Sequence, residues 1–304
     1  MDATGTPAAR PASAGKGGAG QPDDRVGVVI ATRDRPGLLA RTLHHLGRLP
    51  ERPAIVVVDN GSRDRAVVDA VGGFPDVALI ELAENIGSAA RTVGVRALST
   101  PYVAFADDDS WWAAGSLPRA ADLMDDDPTL GLIAARLLVG TQERLDPTTA
   151  MMSASPLGSP TGRSEPAILG FLACGAVVRR TAYLEVGGFH RRFGVGGEET
   201  LVALDLAARG YRLVYVDDVV AHHRPAPSLR DGRPRQQLRN ELWTTWLRSE
   251  PSEVARRTGA LLGRALREPR LLPGVVEALA GLAWVAKERE RLPGAVAADL
   301  QRLK

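Results

Sequence analysis

Short apolar runs alternate with polar loops and helical segments through the first part of this chain. Each run ends abruptly in turn residues, and the segment after the first loop carries Leu39, Leu43 and Leu46 at helical spacing. Strand, loop and helix repeated in this way predict an α/β fold, in which a parallel sheet with right-handed crossovers is covered by helices. The four strands predicted first lie at residues 26–31, 54–58, 77–82 and 102–106.

The alternation continues after residue 112, with one interruption. We predict strands at 130–139, 171–178 and 211–216, and a helix at 200–209. Residues 140–166 are rich in Pro, Ser, Thr and Gly and are interpreted as a long excursion or lid. Cys174, inside the predicted strand 171–178, is interpreted as a small core residue.

The two ends of the chain differ from this pattern. Residues 1–24 are dominated by small residues and proline, and we expect a disordered tail there. We place the α/β domain at 25–230 and a helical, arginine-rich C-terminal extension at 231–304. That extension could pack on the domain, form a homodimer or lie on a membrane surface as an amphipathic element.

Composition excludes several classes of protein. The net charge is only +2, which gives little reason to expect nucleic-acid binding. A single cysteine excludes an internal disulfide and a cysteine-based zinc site. The chain has no secretory-type apolar segment and no continuous apolar stretch of roughly 18 residues. We therefore expect a cytoplasmic protein, with peripheral contact to the inner face of the membrane left open.

Polar residues follow the predicted strands where each strand ends. Because open α/β sheets bind ligands at the carboxyl ends of their strands, these side chains are expected to share one edge of the sheet, called the rim below. They are Thr32, Asp34, Asp59, Asn60, Asn85 and the triplet Asp107, Asp108 and Asp109.

The aspartate triplet indicates a cation. Two unit charges about 4 Å apart repel by roughly 4 kcal/mol at an effective dielectric constant near 20. In extended backbone Asp107 and Asp109 point to one side and Asp108 to the other, so the outer pair could share Mg²⁺ or Mn²⁺ with phosphate oxygens and water. The alternative is a solvated acidic turn that begins the next helix.

Two common nucleotide-binding motifs are missing from the sequence, and their absence reduces the number of ligand classes to consider. No G-x-G-x-x-G follows the first strand, and no P-loop sequence is present. A nucleotide diphosphate held through a metal ion on aspartates needs neither motif, and Asp34 or Asp59 could accept hydrogen bonds from the base or ribose.

Two further groups of residues have a structural and a chemical interpretation. Glu198 and Glu199 follow a glycine-rich loop; acids are common at helix N-termini, but one of the two could be a general base. His222 and His223 could be structural or solvent-facing, or one imidazole could complete an oxygen-rich Mn²⁺ site.

The ordered set of these motifs resembles the family 2 glycosyltransferases of the GT-A fold. The resemblance covers roughly residues 25–225 and rests on segments 28–36, 57–62, 84–87 with 90–91, 105–109, 187–189, 197–199 and 210–222. It implies a GT-A-type, Rossmann-like, mostly parallel sheet covered by helices, and a metal-dependent, inverting transfer of sugar from a nucleotide-sugar donor to an acceptor hydroxyl. The donor would be UDP-, GDP- or dTDP-linked, and the acceptor a glycan, a lipid-linked molecule or a small molecule.

The resemblance also assigns roles to residues. Asp109 would bind Mn²⁺ or Mg²⁺ directly, with Asp107 near the metal or ribose and His222 or His223 as a further ligand. Glu199 would be the base, with Glu198 as the alternative because the family usually has Glu-Asp or Asp-Asp there. The residues expected to bind the nucleotide sugar are Thr32, Arg33, Asp34, Asp59, Asn60, Asn85, Gly87, Arg91, Asp107 and Asp108. The family's usual asparagine after Arg91 is Thr92 here.

Other functions fit the sequence less well. A sugar-phosphate nucleotidyltransferase would need a glycine-rich, basic loop after the first strand, where residues 32–37 contain one glycine. A nucleotide- or glycan-binding module without catalysis would bind nucleotide but have no turnover. A glycoside hydrolase uses paired carboxylates but needs no metal-binding triplet.

Overall fold

The N-terminal half is the parallel sheet that the alternation predicts. A computed structural model describes residues 23–159, 164–225 and 233–303; the predicted tail lies outside them except for Asp23 and Asp24. Four strands pair in parallel in the order β3-β2-β1-β4. They are β1 (Val26–Thr32), β2 (Ala54–Asp59), β3 (Val77–Glu81) and β4 (Tyr102–Asp107), connected by the helices α1 (Pro36–Leu46), α2 (Ala66–Gly72) and α3 (Ala89–Ala97).

The second half of the sheet is mixed. It contains β5 (Ser110–Trp112), β6 (Leu130–Val139), β7 (Arg144–Leu145), β8 (Ala176–Arg179) and β9 (Arg212–His223), with the helices α4 (Ser116–Asp126), α5 (Pro147–Ser153), α6 (Arg180–Glu185) and α7 (Glu198–Ala208). β8 is antiparallel to both β4 and β6, whereas β9 is parallel to β6 and antiparallel to the edge strand β5. The predicted α/β fold is confirmed, and the antiparallel pairs are what the sequence pattern did not indicate.

Helices cover both faces of the sheet and enclose two apolar cores. Leu39, Leu43 and Leu46 of α1 are fully buried and pack with α2 and α4 on one face. Residues of α3, α6 and α7 pack on the other face, around Phe105 and Tyr183. The helices thereby fix the strands whose carboxyl ends form the rim.

A third core lies among the C-terminal helices. These are α8 (Arg233–Arg248), α9 (Pro251–Arg267), α10 (Leu272–Ala280), α11 (Leu282–Glu288) and α12 (Gly294–Arg302). Trp243, Leu242 and Leu238 of α8 are buried with Phe193 and with Leu201 of α7. No single helix in the described parts of the chain is long and apolar enough to cross a membrane; Pro269–Ala280 and Leu282–Glu288 pass that test only as a pair bent by 54°.

Three predicted elements differ from the structure. Cys174 is buried as predicted but lies in a 3-10 turn, Ala173–Gly175, because a short apolar run does not distinguish a strand from a buried turn. Helix α7 begins at Glu198, so both glutamates are in its first turn. Strand β9 continues through His223 because a bulge near Asp217 and Asp218 lets pairing with β6 resume at Val220.

Candidate active site

The predicted rim is formed by neighbouring parallel strands. Thr32, the last residue of β1, pairs in register with Asp59, the last residue of β2. On the other side of β1, Ala31 pairs with Asp107, the last residue of β4. Parallel pairing therefore brings side chains from separate parts of the chain to one edge of the sheet, as expected from the sequence.

The three aspartates have different partners. Asp107 ends β4 and its carboxylate accepts a hydrogen bond from Arg91 of α3. Asp108 is buried and accepts hydrogen bonds from Thr32 Oγ1 at 2.9 Å and Arg35 Nη1 at 3.2 Å. Arg35 Nη1 also lies 3.7 Å from Asp109 Oδ2, so Asp108 and Asp109 share one cation. The alternation predicted for extended backbone does not apply, because a turn follows β4, and the predicted part of Asp108 in nucleotide-sugar binding stays a prediction. Burial raises the pKa of Asp108 to about 6, and Arg35 opposes that rise.

Potential metal ligands converge beside Asp107. One ligand atom each from Asp107, Cys174 and His223 lies within 4.8 Å of the other two. His223 Nε2 is also 3.2 Å from Asp109 Oδ1. Oxygen and imidazole ligands together suit Mn²⁺, whereas Mg²⁺ prefers oxygen ligands alone. The residues present therefore fit a divalent ion, with Mn²⁺ matching the donor set better than Mg²⁺.

Cys174 lies closer to this site than its sequence interpretation indicates. Its thiol is buried, and burial raises the pKa of the thiol well above the ordinary value. A neutral thiol is a weak ligand, because the thiolate is the form that binds metals. Cys174 therefore forms an apolar wall of the ligand cluster in addition to its place in the core.

The two histidines of β9 point to different surroundings. Burial disfavours the charged form of His223, but the nearby Asp109 and Asp107 outweigh burial and raise its pKa. His222 Nδ1 instead lies 3.2 Å from Glu143 Oε1, and its ring stacks on Trp111 at 5.6 Å between centroids. Alternation along the strand separates them, so His223 alone of the pair meets the aspartates.

Arg91 is a cation that interacts with both acidic groups of the site. Its guanidinium is mostly buried and pairs with Asp107. Burial opposes its charge, yet Asp107, Glu198 and Glu199 together raise the pKa of Arg91. A permanent positive charge therefore stabilises the aspartates and the glutamates together.

The glycine-rich loop before α7 depends on close backbone packing. Gly194, Gly196 and Gly197 all have positive φ, which favours glycine. A Cβ on Gly87 would lie 2.5 Å from the Cα of Gly194, and Ser88 N donates to Gly194 O at 3.0 Å. Gly87 is thus required for contact between two loops, and loop 193–197 is fixed against the rim.

Glu198 and Glu199 have different environments. Glu198 is buried, with 3% of its surface exposed, and its carboxylate accepts a hydrogen bond from the backbone N–H of Gly196. Glu199 is partly exposed. Burial and the charge of Glu198 raise the pKa of Glu199 to about 8, against the opposing charge of Arg91. The Glu198 carboxylate therefore holds the loop before α7. The Glu199 carboxylate binds a proton more tightly than an ordinary glutamate does.

The other rim residues hold loops together. Asn60 donates to Gly87 O at 3.0 Å and accepts from Ile86 N at 2.8 Å, so both ends of its amide are used within the protein. Asn85 accepts from Gly87 N at 2.9 Å. Asn85 is therefore in the turn that contains Gly87, and Asn60 holds that turn from the loop after β2. The predicted part of both asparagines in ligand binding stays a prediction.

The strand-end residues near Ser62 and Arg63 make similar contacts. Asp59 Oδ1 accepts from Ser62 Oγ at 2.6 Å, and Asp34 Oδ1 accepts from Arg63 N at 2.9 Å. Arg33 Nε donates to Gly61 O at 3.1 Å. Asp34, Asp59 and Arg33 are therefore at the predicted edge of the sheet, and each is held by the loop after β2.

Asn240 of α8 is a site residue that the sequence interpretation missed. It is fully buried, and its Nδ2 donates to Phe193 O at 2.9 Å and to Gly196 O at 2.8 Å. Arg239 Nη2 donates to the same Phe193 oxygen at 2.7 Å. The sequence feature that could have identified Asn240 is its spacing, because it lies on the same side of a helix as Trp243 and Leu247. Through Asn240 the C-terminal helices hold loop 193–197.

We expect Asn240→Leu to lower the free energy of unfolding by about 1–3 kcal/mol, because the substitution leaves the buried Gly196 carbonyl without its donor. Urea unfolding followed by tryptophan fluorescence measures the change. Gln236→Leu, at an exposed position on the same helix, is the matched control and should change stability by less than about 0.5 kcal/mol. Equal stability of wild type and Asn240→Leu would contradict the supporting role of Asn240.

Comparisons with known proteins agree on one family. A family model described as glycosyl transferase family 2 matches residues 27–187. The chain is 30% identical over 215 residues to the pre-mycofactocin glycosyltransferase of Mycobacterium tuberculosis, in a match that covers 68% of this chain and 44% of that protein. The chain therefore spans less than half the length of this relative.

Two further proteins are similar over more of their length. The N-acetylglucosaminyl-diphospho-decaprenol L-rhamnosyltransferase of M. tuberculosis is 27% identical over 239 residues, covering 67% of this chain and 78% of the relative. A solved structure of the mannosyltransferase PcManGT from Pyrobaculum calidifontis, in complex with GDP-Man and Mn²⁺, superposes with a TM-score of 0.58 at 23% identity. That superposition covers 96% of this chain and 82% of the other, and it shows the shared GT-A-type fold.

Proposed function

Because the chain belongs to glycosyl transferase family 2, we propose that it transfers a sugar from a nucleotide-diphosphate sugar to an acceptor hydroxyl, with inversion at the anomeric carbon. One observation carries the proposal: Arg91 pairs with Asp107 of the ligand cluster and also interacts electrostatically with Glu199, so the ligand cluster and the proposed base belong to one site. Sugar transfer requires one group to bind the diphosphate and another to accept a proton, and different residues are available for these two tasks.

The divalent ion of the proposed reaction would be held by Asp107, Asp109 and His223, which supply oxygen and imidazole ligands. When bound, such an ion stabilises negative charge on the departing diphosphate. Arg91 adds a fixed positive charge beside Asp107. Thr32, Asp34 and Asp59 at the rim are the groups assigned to the base and ribose of the donor.

Glu199 is proposed as the general base. It accepts the proton of the acceptor hydroxyl while that oxygen attacks the anomeric carbon and the bond to the diphosphate breaks. A single in-line displacement inverts the configuration at that carbon. Glu198 is less suited to this task because its carboxylate already accepts the N–H of Gly196.

The names of the relatives suggest which donors and acceptors to test. One relative is named as a rhamnosyltransferase for a decaprenol-linked sugar, and PcManGT was solved with GDP-Man. UDP-, GDP- and dTDP-sugars are therefore the donors to test, and glycan, lipid-linked and small-molecule acceptors remain in the proposal. Calorimetric titration with each free nucleoside diphosphate and Mn²⁺ tests donor binding directly. No binding of any of the three would contradict the proposal.

The proposed base predicts the pH dependence. Glu199 must be unprotonated to accept a proton, so kcat/KM should rise with pH, with an apparent pKa shifted from the ordinary 4.5 towards about 8. Initial rates measured across neutral pH test this. In Glu198→Gln the loss of a neighbouring negative charge lowers the pKa of Glu199, so the rise should move to lower pH. A profile that is the same in both proteins would argue against Glu199.

A further inference from the structure

Large apolar side chains are exposed on three consecutive C-terminal helices. Leu266 is 72% exposed, Val276 65% and Leu279 51%. Exposed apolar residues scattered singly need no explanation, but a cluster of them indicates an interaction surface. The full set, called the apolar face below, is Leu262 and Leu266 on α9, Leu272, Val276 and Leu279 on α10, and Leu282 on α11.

The opposite side of α10 and α11 is buried against the rest of the protein. Val275, Ala278 and Trp284 are buried in the third core against α8. Glu277 is the only charged residue between positions 271 and 286, and it pairs with Arg239 of α8 at 3.2 Å. The helices therefore present one apolar side outward and are not available to cross a bilayer. They are suited to lie in its surface.

Basic residues border the apolar face at both ends. Exposed Arg264, Arg267 and Arg270 precede α10, and exposed Lys287 and Arg289 follow the apolar residues of α11. Between positions 250 and 291, a range that includes the acidic partners of Arg256 and Arg291, there are eight basic and six acidic residues. An apolar side with an excess of positive charge at its borders complements acyl chains below anionic head groups.

We propose that the apolar face binds the surface of an anionic phospholipid bilayer. A second copy of the chain fits this face less well, because both ends are basic and a two-fold pairing would bring basic ends together. Since α10 and α11 pack on α8, which holds loop 193–197 through Asn240, the bound helices would be rigidly connected to the proposed active site.

Vesicle sedimentation tests the proposal without donor or acceptor, so its failure leaves the proposed glycosyl transfer untouched. The full chain is expected to bind vesicles containing phosphatidylglycerol at least about tenfold more tightly than pure phosphatidylcholine vesicles, and high salt should weaken this binding. The double substitution Val276→Glu with Leu279→Glu should reduce binding to anionic vesicles by about tenfold or more. Both positions are exposed, so folding is expected to persist, and thermal unfolding checks it.

The double substitution Leu145→Glu with Met151→Glu is the matched control, because it adds the same two negative charges outside the apolar face. Met151 is 74% exposed on α5, and Leu145 is 40% exposed on β7. Vesicle binding of this control should equal that of the wild type. Equal binding of wild type to neutral and anionic vesicles would overturn the proposal. So would an absence of vesicle binding together with a dimer, seen by sedimentation velocity, that the double substitution dissociates; that result would assign the face to a second copy.

Discussion

Glu199→Gln is expected to lower the kcat of sugar transfer by about a hundredfold to ten-thousandfold, the usual contribution of a general base. The amide keeps the shape of the side chain but cannot accept the acceptor's proton. Donor binding should stay close to the wild-type value, because the groups assigned to the donor are on the rim and not on α7. Transfer assays at saturating donor, together with titration of nucleoside diphosphate, separate the two effects.

Glu198→Gln is the matched control for that substitution. The glutamine oxygen can still accept the N–H of Gly196, so the loop should keep its conformation and most of the kcat. Melting temperatures of both variants check the fold. A large loss of kcat in Glu198→Gln alone would move the role of base to Glu198, and full activity of both variants would remove the base from this loop.

Removal of the metal, or of Asp109, should be equally damaging. Stabilising charge on the leaving diphosphate contributes several kcal/mol, so we expect kcat to fall by about a thousandfold or more in Asp109→Ala and after treatment with EDTA. Re-addition of Mn²⁺ should restore the EDTA-treated wild type but not the variant. Binding of Mn²⁺ followed by electron paramagnetic resonance gives a measurement that does not depend on activity.

Asp218→Ala is the matched control for Asp109→Ala. Asp218 lies on the bulge of β9 and pairs with Arg119 at 2.8 Å on the outer surface. Loss of this exposed pair should leave Mn²⁺ binding and kcat nearly unchanged. Transfer that is insensitive to EDTA and intact in Asp109→Ala would rule out the proposed metal site.

The positions that sequence reasoning placed best are those governed by strand pairing. Once four parallel strands are predicted, Thr32, Asp59 and Asp107 must share an edge, because the register of a parallel sheet aligns strand ends. The directions of Asp108 and Asp109 were not predicted, because a turn after β4 replaces the extended backbone and brings both carboxylates to Arg35. The local sequence pattern was therefore enough to predict a residue's position where pairing between two neighbouring strands determines that position.

The positions that depend on distant packing could not be predicted. His222 and His223 are adjacent in sequence, and only the continuation of β9 beyond its bulge decides which ring meets Asp109. Cys174 reaches the ligand cluster because a 3-10 turn replaces the predicted strand. Asn240 supports loop 193–197 from a helix more than forty residues away in the chain, a contact that no local pattern specifies.

The most direct test of the proposed function is a transfer assay with UDP-, GDP- and dTDP-sugars, Mn²⁺ and glycan, lipid-linked and small-molecule acceptors. Released nucleotide and glycosylated acceptor are both quantified, and the anomeric configuration of the product is determined by NMR. We expect one donor class to give equal amounts of nucleoside diphosphate and product, with configuration inverted. A product with retained configuration, or nucleotide bound to the protein with no transfer to any acceptor, would contradict an inverting glycosyltransferase.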